Sequence, residues 1–266
     1  MIFAQVAKRI IAGECALTCS DVDSFKITPK ACGFCHDDPM RKKSWLIFAG
    51  LLAVLLVAAV AVAPWAYKNY VERPPDAPLA LPPGAGPAST DVDGSWTVQP
   101  GSLAGYRVQQ QLLWLMVDVN GRTDAVTGGA EIRQSQLMSA KFTVDVAAID
   151  SGRPGRDERF RSTDALATAA FPTATVSMNM PVDLAAVPSD GSPARLEVPV
   201  HLTLKGVTRV VSAQIDIQRS GDRVDVAGTI PIRFFDFNVD PPRPPASLLE
   251  VQPVATIEFL GHRAKG

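Results

Sequence analysis

The chain has 266 residues, a formal net charge of −1, 47% hydrophobic and 20% charged residues. That hydrophobic share supports a packed core and excludes wholesale disorder. The lack of a basic excess excludes a general nucleic-acid binder, and no nucleic-acid partner is expected. Residues 1–43 read as a short cytoplasmic tail, with Met40 as an alternative start. All four cysteines, Cys15, Cys19, Cys32 and Cys35, lie in this tail, so no disulfide can staple the rest of the chain. Cys32-Gly33-Phe34-Cys35-His36 has the C-x-x-C-H spacing of haem attachment, and with Cys15 and Cys19 it forms a weak zinc-ligand pattern. Haem is attached outside the membrane, whereas this tail is expected inside, with too little sequence around it to bury a porphyrin. Chance or untranslated upstream sequence is therefore the leading reading, zinc is second, and redox or haem chemistry third. No cofactor is expected.

Residues 44–71 predict a transmembrane anchor. Trp45–Ala63 is a run of 19 residues without a charge. At ~1.5 Å per helical residue it spans about 28 Å, close to the ~30 Å hydrocarbon core of a bilayer. Arg41, Lys42 and Lys43 precede it and place the N-terminus inside, and Trp45, Trp65, Tyr67 and Tyr70 stand where interfacial aromatics belong. The competing reading is a cleaved signal peptide, with Ala61-Val62-Ala63 as an A-x-A site. The apolar run exceeds the ~7–15 residues of a signal h-region, and Pro64 would follow the cut and resist processing. A retained anchor through Trp45–Tyr67 is expected.

Residues 72–95 carry Pro74, Pro75, Pro78, Pro82, Pro83 and Pro87, which preclude a helix or a central strand. They predict a semi-extended tether lifting a domain off the membrane. From Trp96 onward the apolar pattern has period two, which predicts half-buried strands. The clean runs are Met138–Ala148, Ala174–Val182, Leu196–Leu204, Val211–Ile217 and Val224–Phe234. Shorter strands are predicted at Ala104–Gln110, Leu113–Val119, Gly129–Gln134 and Val254–Leu260. Turn signals stand at Asn120-Gly121, Gly128-Gly129, Ser189-Asp190-Gly191, Lys205-Gly206 and Ser220-Gly221-Asp222. Arg156–Ala167 interrupts the strands with helical character, Phe160 and Leu166 forming its apolar stripe. Eight or so one-faced strands in series fit an antiparallel all-β barrel, whose closure removes exposed edges.

Residues 96–266 contain no nucleophile elbow, phosphate loop, H-E-x-x-H or dinucleotide fingerprint. No catalytic residue is assigned, and the acidic residues read as solvated surface. A barrel of this size either fills its interior or holds one small ligand. The inward phase supplies Tyr106, Phe142, Val144, Met178, Met180, Leu202, Leu204, Ile215 and Phe234 as candidate ligand-binding residues. The opposite phase would bury Asp145, Asn179, His201 and Asp216 without partners, the costlier arrangement.

Four stretches resemble one known family, in that family's order. Arg156-Asp157-Glu158-Arg159-Phe160-Arg161-Ser162 is similar to its R-D-x-H-L-R-S helix, and Phe171-Pro172-Thr173-Ala174-Thr175-Val176 to its F-P-T-A-T-F strand. Leu202-Thr203-Leu204-Lys205-Gly206-Val207-Thr208 and Arg233-Phe234-Phe235-Asp236-Phe237-Asn238-Val239 complete the set. The chain thus resembles the YceI-like family, and the anchor with Gly105-Tyr106-Arg107-Val108 resembles membrane-anchored actinobacterial members. The resemblance implies an eight-stranded lipocalin-like barrel that is not an enzyme and binds a polyisoprenoid chain outside the cytoplasmic membrane. Glu158-Arg159 replaces the family's x-His, and Arg243-Pro244-Pro245 replaces a loop with Gly and Phe. The expected partners are an isoprenoid lipid, of quinone or polyprenyl type, and the membrane, with homodimerisation open. A filled barrel serving as a protein-interaction or stress-response module is the alternative.

Overall fold

The computed structural model describes residues 39–89, 91–178, 180–241 and 249–265. Cys15, Cys19, Cys32, Cys35, His36, Asn179 and Arg243-Pro244-Pro245 lie outside the described residues. The chain divides into two units, Met1–Ala53 and Val54–Gly266, and the second contains the barrel.

Helix α1 (Pro39–Ala66) continues into one π-helical turn at Tyr67–Val71. From Trp45 to Ala63 its side chains are exposed on every face. A helix apolar all round has no polar face to turn to water. Among the described residues it is the one helix long and apolar enough to cross a membrane.

Eight antiparallel strands close into a ring. They are β1 (Gly94–Val98), β4 (Val126–Arg133), β5 (Gln136–Asp145), β6 (Thr173–Met178), β8 (Ala194–Leu204), β9 (Val207–Ser220), β10 (Arg223–Arg233) and β11 (Leu249–Lys265). β11 pairs with β10 along one edge. Its other edge is shared: the end of β11 pairs with β1, and the rest with β2 (Leu103–Leu112), which forms a hairpin with β3 (Leu115–Thr123). β3 is tied on by reciprocal bonds between the Arg122 and Asp150 backbones, both 2.9 Å. A two-residue strand, β7 (Val182–Asp183), pairs with the start of β5.

Alternation puts Val198, Val200, Leu202 and Leu204 of β8 inside, and Pro199 outside. β5 departs from the expected phase at its start only, and Ala140, Phe142 and Val144 face inward as expected. A bulge opposite Glu131 and Ile132 turns Leu137 inward and leaves Met138 39% exposed. Asn120-Gly121 and Gly128-Gly129 are not turns but lie inside β3 and β4. Gly121 is required by a close approach, because a Cβ there would stand 2.7 Å from a ring carbon of Tyr106. Two-residue turns occur at Gln134-Ser135 and Lys205-Gly206, all four residues having positive φ, the geometry that suits a strand's twist. The Asp93 carboxylate accepts the N–H groups of Gln134 and Ser135 at 2.7 and 2.8 Å. β1 and the ends of β11 lie beyond the apolar runs because there the pairing is carried by the backbone, through polar residues.

Helix α2 (Pro154–Arg161) is shorter than the predicted Arg156–Ala167. Its buried Asp157 accepts bonds from the Ser151 N–H at 3.1 Å and the Ser151 hydroxyl at 2.6 Å. Arg161 donates to the carbonyls of Ala147 and Ile149 at 2.7 and 2.9 Å. These bonds fasten the helix across one end of the barrel.

The proline-rich segment is extended, as expected, but lies along the barrel instead of standing clear of it. Asn120 exchanges hydrogen bonds with Asp76, both 3.0 Å, holding the Asp76 carboxyl below the usual carboxylate range, with help from Arg122, Arg73 and Arg107. Arg107 and Arg122 donate to the carbonyls of Asp76 and Ala77. Both also bond Glu258, which is only 2% exposed. Further on, Ala88 and Ser89 donate to Ser189 and Gly221. Backbone carbonyls that proline leaves without helical partners here serve as acceptors for the barrel's outer face.

Two outcomes follow. A chain starting at Ser95 loses Val92, Asp93 and the strap over Glu258, and should be less stable than one starting at Glu72 by about 2–4 kcal/mol, measured by urea denaturation. Asp157→Ala leaves Ser151 without its acceptor and should cost about 1–3 kcal/mol, with Ser151→Ala no more than additive to it.

Candidate functional site

The inward faces of the strands enclose two adjoining cavities. One has a volume of about 550 Å³ and the other about 150 Å³. Ala104, Val144, Val176 and Ile257 line both, so the two lie end to end along the barrel. Small inward residues create this space: Ala174 in the larger cavity, Ala140 and Ala213 in the smaller.

The larger cavity is roofed by α2. Phe160 stacks on Tyr106, with ring centroids 4.8 Å apart and planes 14° from parallel. Burial pushes the Tyr106 phenol up to about 12; Arg156 works against this shift and Asp157 adds to it. The ring is therefore a neutral wall at physiological pH. The rim carries Tyr67, Arg153, Arg156 and Arg159. Glu72, its side chain 4% exposed, lies between Arg153 at 3.2 Å and Arg156, with which it also pairs. Arg153 donates to the Tyr67 hydroxyl at 2.9 Å and lies over its ring. The turn that ends α1 is thus bonded to the rim.

Of the nine candidate residues, Tyr106, Leu202, Leu204 and Phe234 line the larger cavity, Phe142, Met178 and Ile215 the smaller, and Val144 both. Met180 does not. β6 stops at Met178, the chain bends toward β7, and Met180 is 63% exposed. Alternation cannot be extended past a strand's end, which is why the periodic reading misplaced it. Sequence reasoning missed Phe160, Val176, Ile257 and Arg263 as lining residues. Val176 lies on the apolar phase of a predicted strand, and Ile257 lies in a predicted strand to which no phase is assigned. Arg263 sat beyond the predicted end of the last strand.

Apart from Arg263 and the rim arginines, the charged groups are directed outward. Asp216 accepts two bonds from Arg195, at 2.7 and 2.9 Å, which hold its carboxyl below the usual range. His262 Nδ1 lies 2.7 Å from the buried Asp225 carboxylate. Among the described residues no cluster of His, Cys, Asp or Glu has the arrangement of a metal site. The interior offers apolar surface and shape. Among the described residues it brings together no nucleophile and base.

Residues 96–259 match the family model described as the YceI-like domain. The protein YceI of Escherichia coli O157:H7 and that of Shigella boydii serotype 4 are each 30% identical over 122 residues, which is 44% of this chain. The matched region spans 59% of the length of these curated relatives. Among solved structures, a polyisoprenoid binding domain from Saccharophagus degradans, implicated in plant cell wall breakdown, superposes with a TM-score of 0.53 at 23% identity. The match covers 64% of this chain and 98% of that one. At that identity the likeness establishes the barrel alone. The match over residues 96–259, together with an eight-stranded barrel built on those residues, places this chain in the YceI-like domain family.

Proposed function

We propose that this chain is a membrane-tethered lipid-binding protein that holds a polyisoprenoid, of quinone or polyprenyl type, in its barrel outside the cytoplasmic membrane. The observation that carries the reading is the larger cavity of about 550 Å³, lined mostly by apolar side chains. Small-molecule sites usually measure about 300–1,000 Å³. A filled barrel serving as an interaction module has no use for such a space. The Saccharophagus degradans neighbour, described as polyisoprenoid-binding, supports the same ligand class.

Binding transfers apolar area into a dry cavity at ~0.8 kcal/mol per CH₂. Five isoprene units supply on the order of 10 kcal/mol before ordering costs. No bond is made or broken, so the protein acts as a carrier or reservoir, not an enzyme. The tether keeps the barrel beside the bilayer that supplies the ligand. Its bonded junction, Tyr67 and Glu72 on Arg153 and Arg156, sets the cavity rim next to the end of α1.

Ala213→Trp should fill the smaller cavity. Overpacking a filled core costs about 1–3 kcal/mol, and here the cost should be below that range while the lipid carried per protein falls severalfold. Organic extraction with mass spectrometry and thermal melts read the two quantities. A wild-type protein that carries no lipid, with a variant destabilised like a filled core, refutes the binding reading. Retention of the anchor predicts a membrane-bound protein whose N-terminus precedes Trp45. A mature chain beginning at Pro64 in the soluble fraction would contradict it.

A further inference from the structure

Arg263 is an anomaly of the interior. Along β11 it follows Ile257, Phe259 and Gly261 on the inward face, and it lines the smaller cavity. Its guanidinium carbon lies 4.0 Å from the centre of the Phe142 ring. The guanidinium rests against Gly261, where a Cβ would stand 3.6 Å from Nε and 3.7 Å from Nη2, so no side chain separates it from the cavity floor. The neighbouring wall is Trp96, 2% exposed. Nε is buried and has no hydrogen-bond partner, and among the described residues the group has no ion-pair partner. Burial lowers its pKa to about 10, and no anion acts to raise it. At neutral pH it is still a cation.

The other cations of the cavity are provided for. Arg153 and Arg156 share Glu72, and Arg159 is exposed at the rim. Arg263 is half-buried, and among the described lining cations it alone has a buried, unpartnered donor, Nε, with an aromatic face against its guanidinium. A buried charge without a counter-charge is costly. A cation–π contact recovers only a part, about 0.5–2 kcal/mol. A site of this kind is complementary to an oxyanion. Part of the cation's desolvation, that of Nε, is already incurred on folding, so a ligand anion meets a preorganised fork of donors beside an apolar wall.

Building on the lipid-binding reading, we propose that Arg263 is the headgroup site of the barrel. On this reading the ligand is an apolar chain ending in an oxyanion, a carboxylate or a phosphate, which lies at the Trp96–Phe142 end against the Arg263 guanidinium. The chain then fills the larger cavity, and its tail points to the rim at α2. Head-inward binding hides the charged end from the bilayer and presents hydrocarbon to it.

The test uses the full-length protein in lipid nanodiscs, as wild type, Arg263→Met and Arg263→Lys. Each is loaded with four probes of equal chain length: geranylgeranoic acid, geranylgeranyl monophosphate, geranylgeraniol and the saturated C20 hydrocarbon phytane. Retained probe is quantified by mass spectrometry. Wild type should retain the acid or the monophosphate at least about tenfold over the alcohol and the hydrocarbon. Which of the two it prefers identifies carboxylate or phosphate. Arg263→Met should lose that preference and keep its hydrocarbon binding, with a melting temperature equal to or above wild type, because an unpaired charge has been removed. Arg263→Lys should keep most of the preference and guards against a folding artefact. Equal preference in wild type and Arg263→Met overturns the headgroup assignment and leaves lipid binding intact. Retention of no probe by any of the three proteins overturns both.

Discussion

Strand β11 holds the barrel together, and its alternation is the constraint on which the rest depends. Its single run, Leu249–Lys265, closes the ring against β10 on one edge and divides the other between β1 and β2. Pro253 sits in the register shift between Val251 and Ala255, inside the stretch paired with β2, and the change of partner to β1 comes later, between Leu260 and Arg263. Proline is tolerated where the ladder is already interrupted. The alternation of β11 then sorts the chemistry. Ala255, Ile257 and Arg263 face the cavities, while Glu258 and His262 meet Arg122, Arg107 and Asp225 on the other side. A slip of one residue would exchange the two sets and put Glu258 among hydrocarbon.

The outer face is unusual for a barrel because part of it is buried. Glu258 and Asp225 are each 2% exposed although they point away from the interior. The cover for Glu258 comes from the proline-rich strap, whose Asp76 and Ala77 carbonyls accept from Arg107 and Arg122 while the Asp76 carboxylate accepts from Asn120. The strap, the rim and the end of α1 therefore form one bonded series, running from Tyr67 through Glu72 and Asp76 to Leu79. Buried charges arranged in this way contribute definition more than net stability, because their desolvation offsets much of their attraction.

Much of this was readable from residue order. Period-two runs placed Leu202, Leu204, Ile215 and Phe142 on the correct face, because one buried side fixes a strand's phase. What failed was local. The bulge that turns Met138 outward belongs to the tight β4–β5 hairpin, where an extra residue leaves no mark in the apolar pattern, and the bend that releases Met180 leads to the pairing of β7 with the distant start of β5. The glycine pairs misled because glycine marks either a turn or a tight approach, and at Gly121 it is the Tyr106 ring that demands it. The strap could not be read as a strap, since its acceptors are backbone carbonyls that every sequence has. Arg263 was legible in principle. The alternation from Ile257 through Phe259 and Gly261 reaches it, and a cation in that phase is a signal that the run of apolar letters conceals.

Trp96 adds an optical consequence. Its indole is 2% exposed, its N–H is held by the Val92 carbonyl at 2.7 Å, and its ring forms part of the smaller cavity. Trp45, Trp65 and Trp114 are 70%, 52% and 60% exposed. Of the two tryptophans that follow the anchor, Trp96 lies in an apolar interior and Trp114 on the surface. In a chain that starts at Glu72 the blue edge of the emission belongs to Trp96, and a heavy atom on a chain inside the barrel would quench that edge while sparing the rest. The interior comes with its own reporter, and occupancy can be followed without a label.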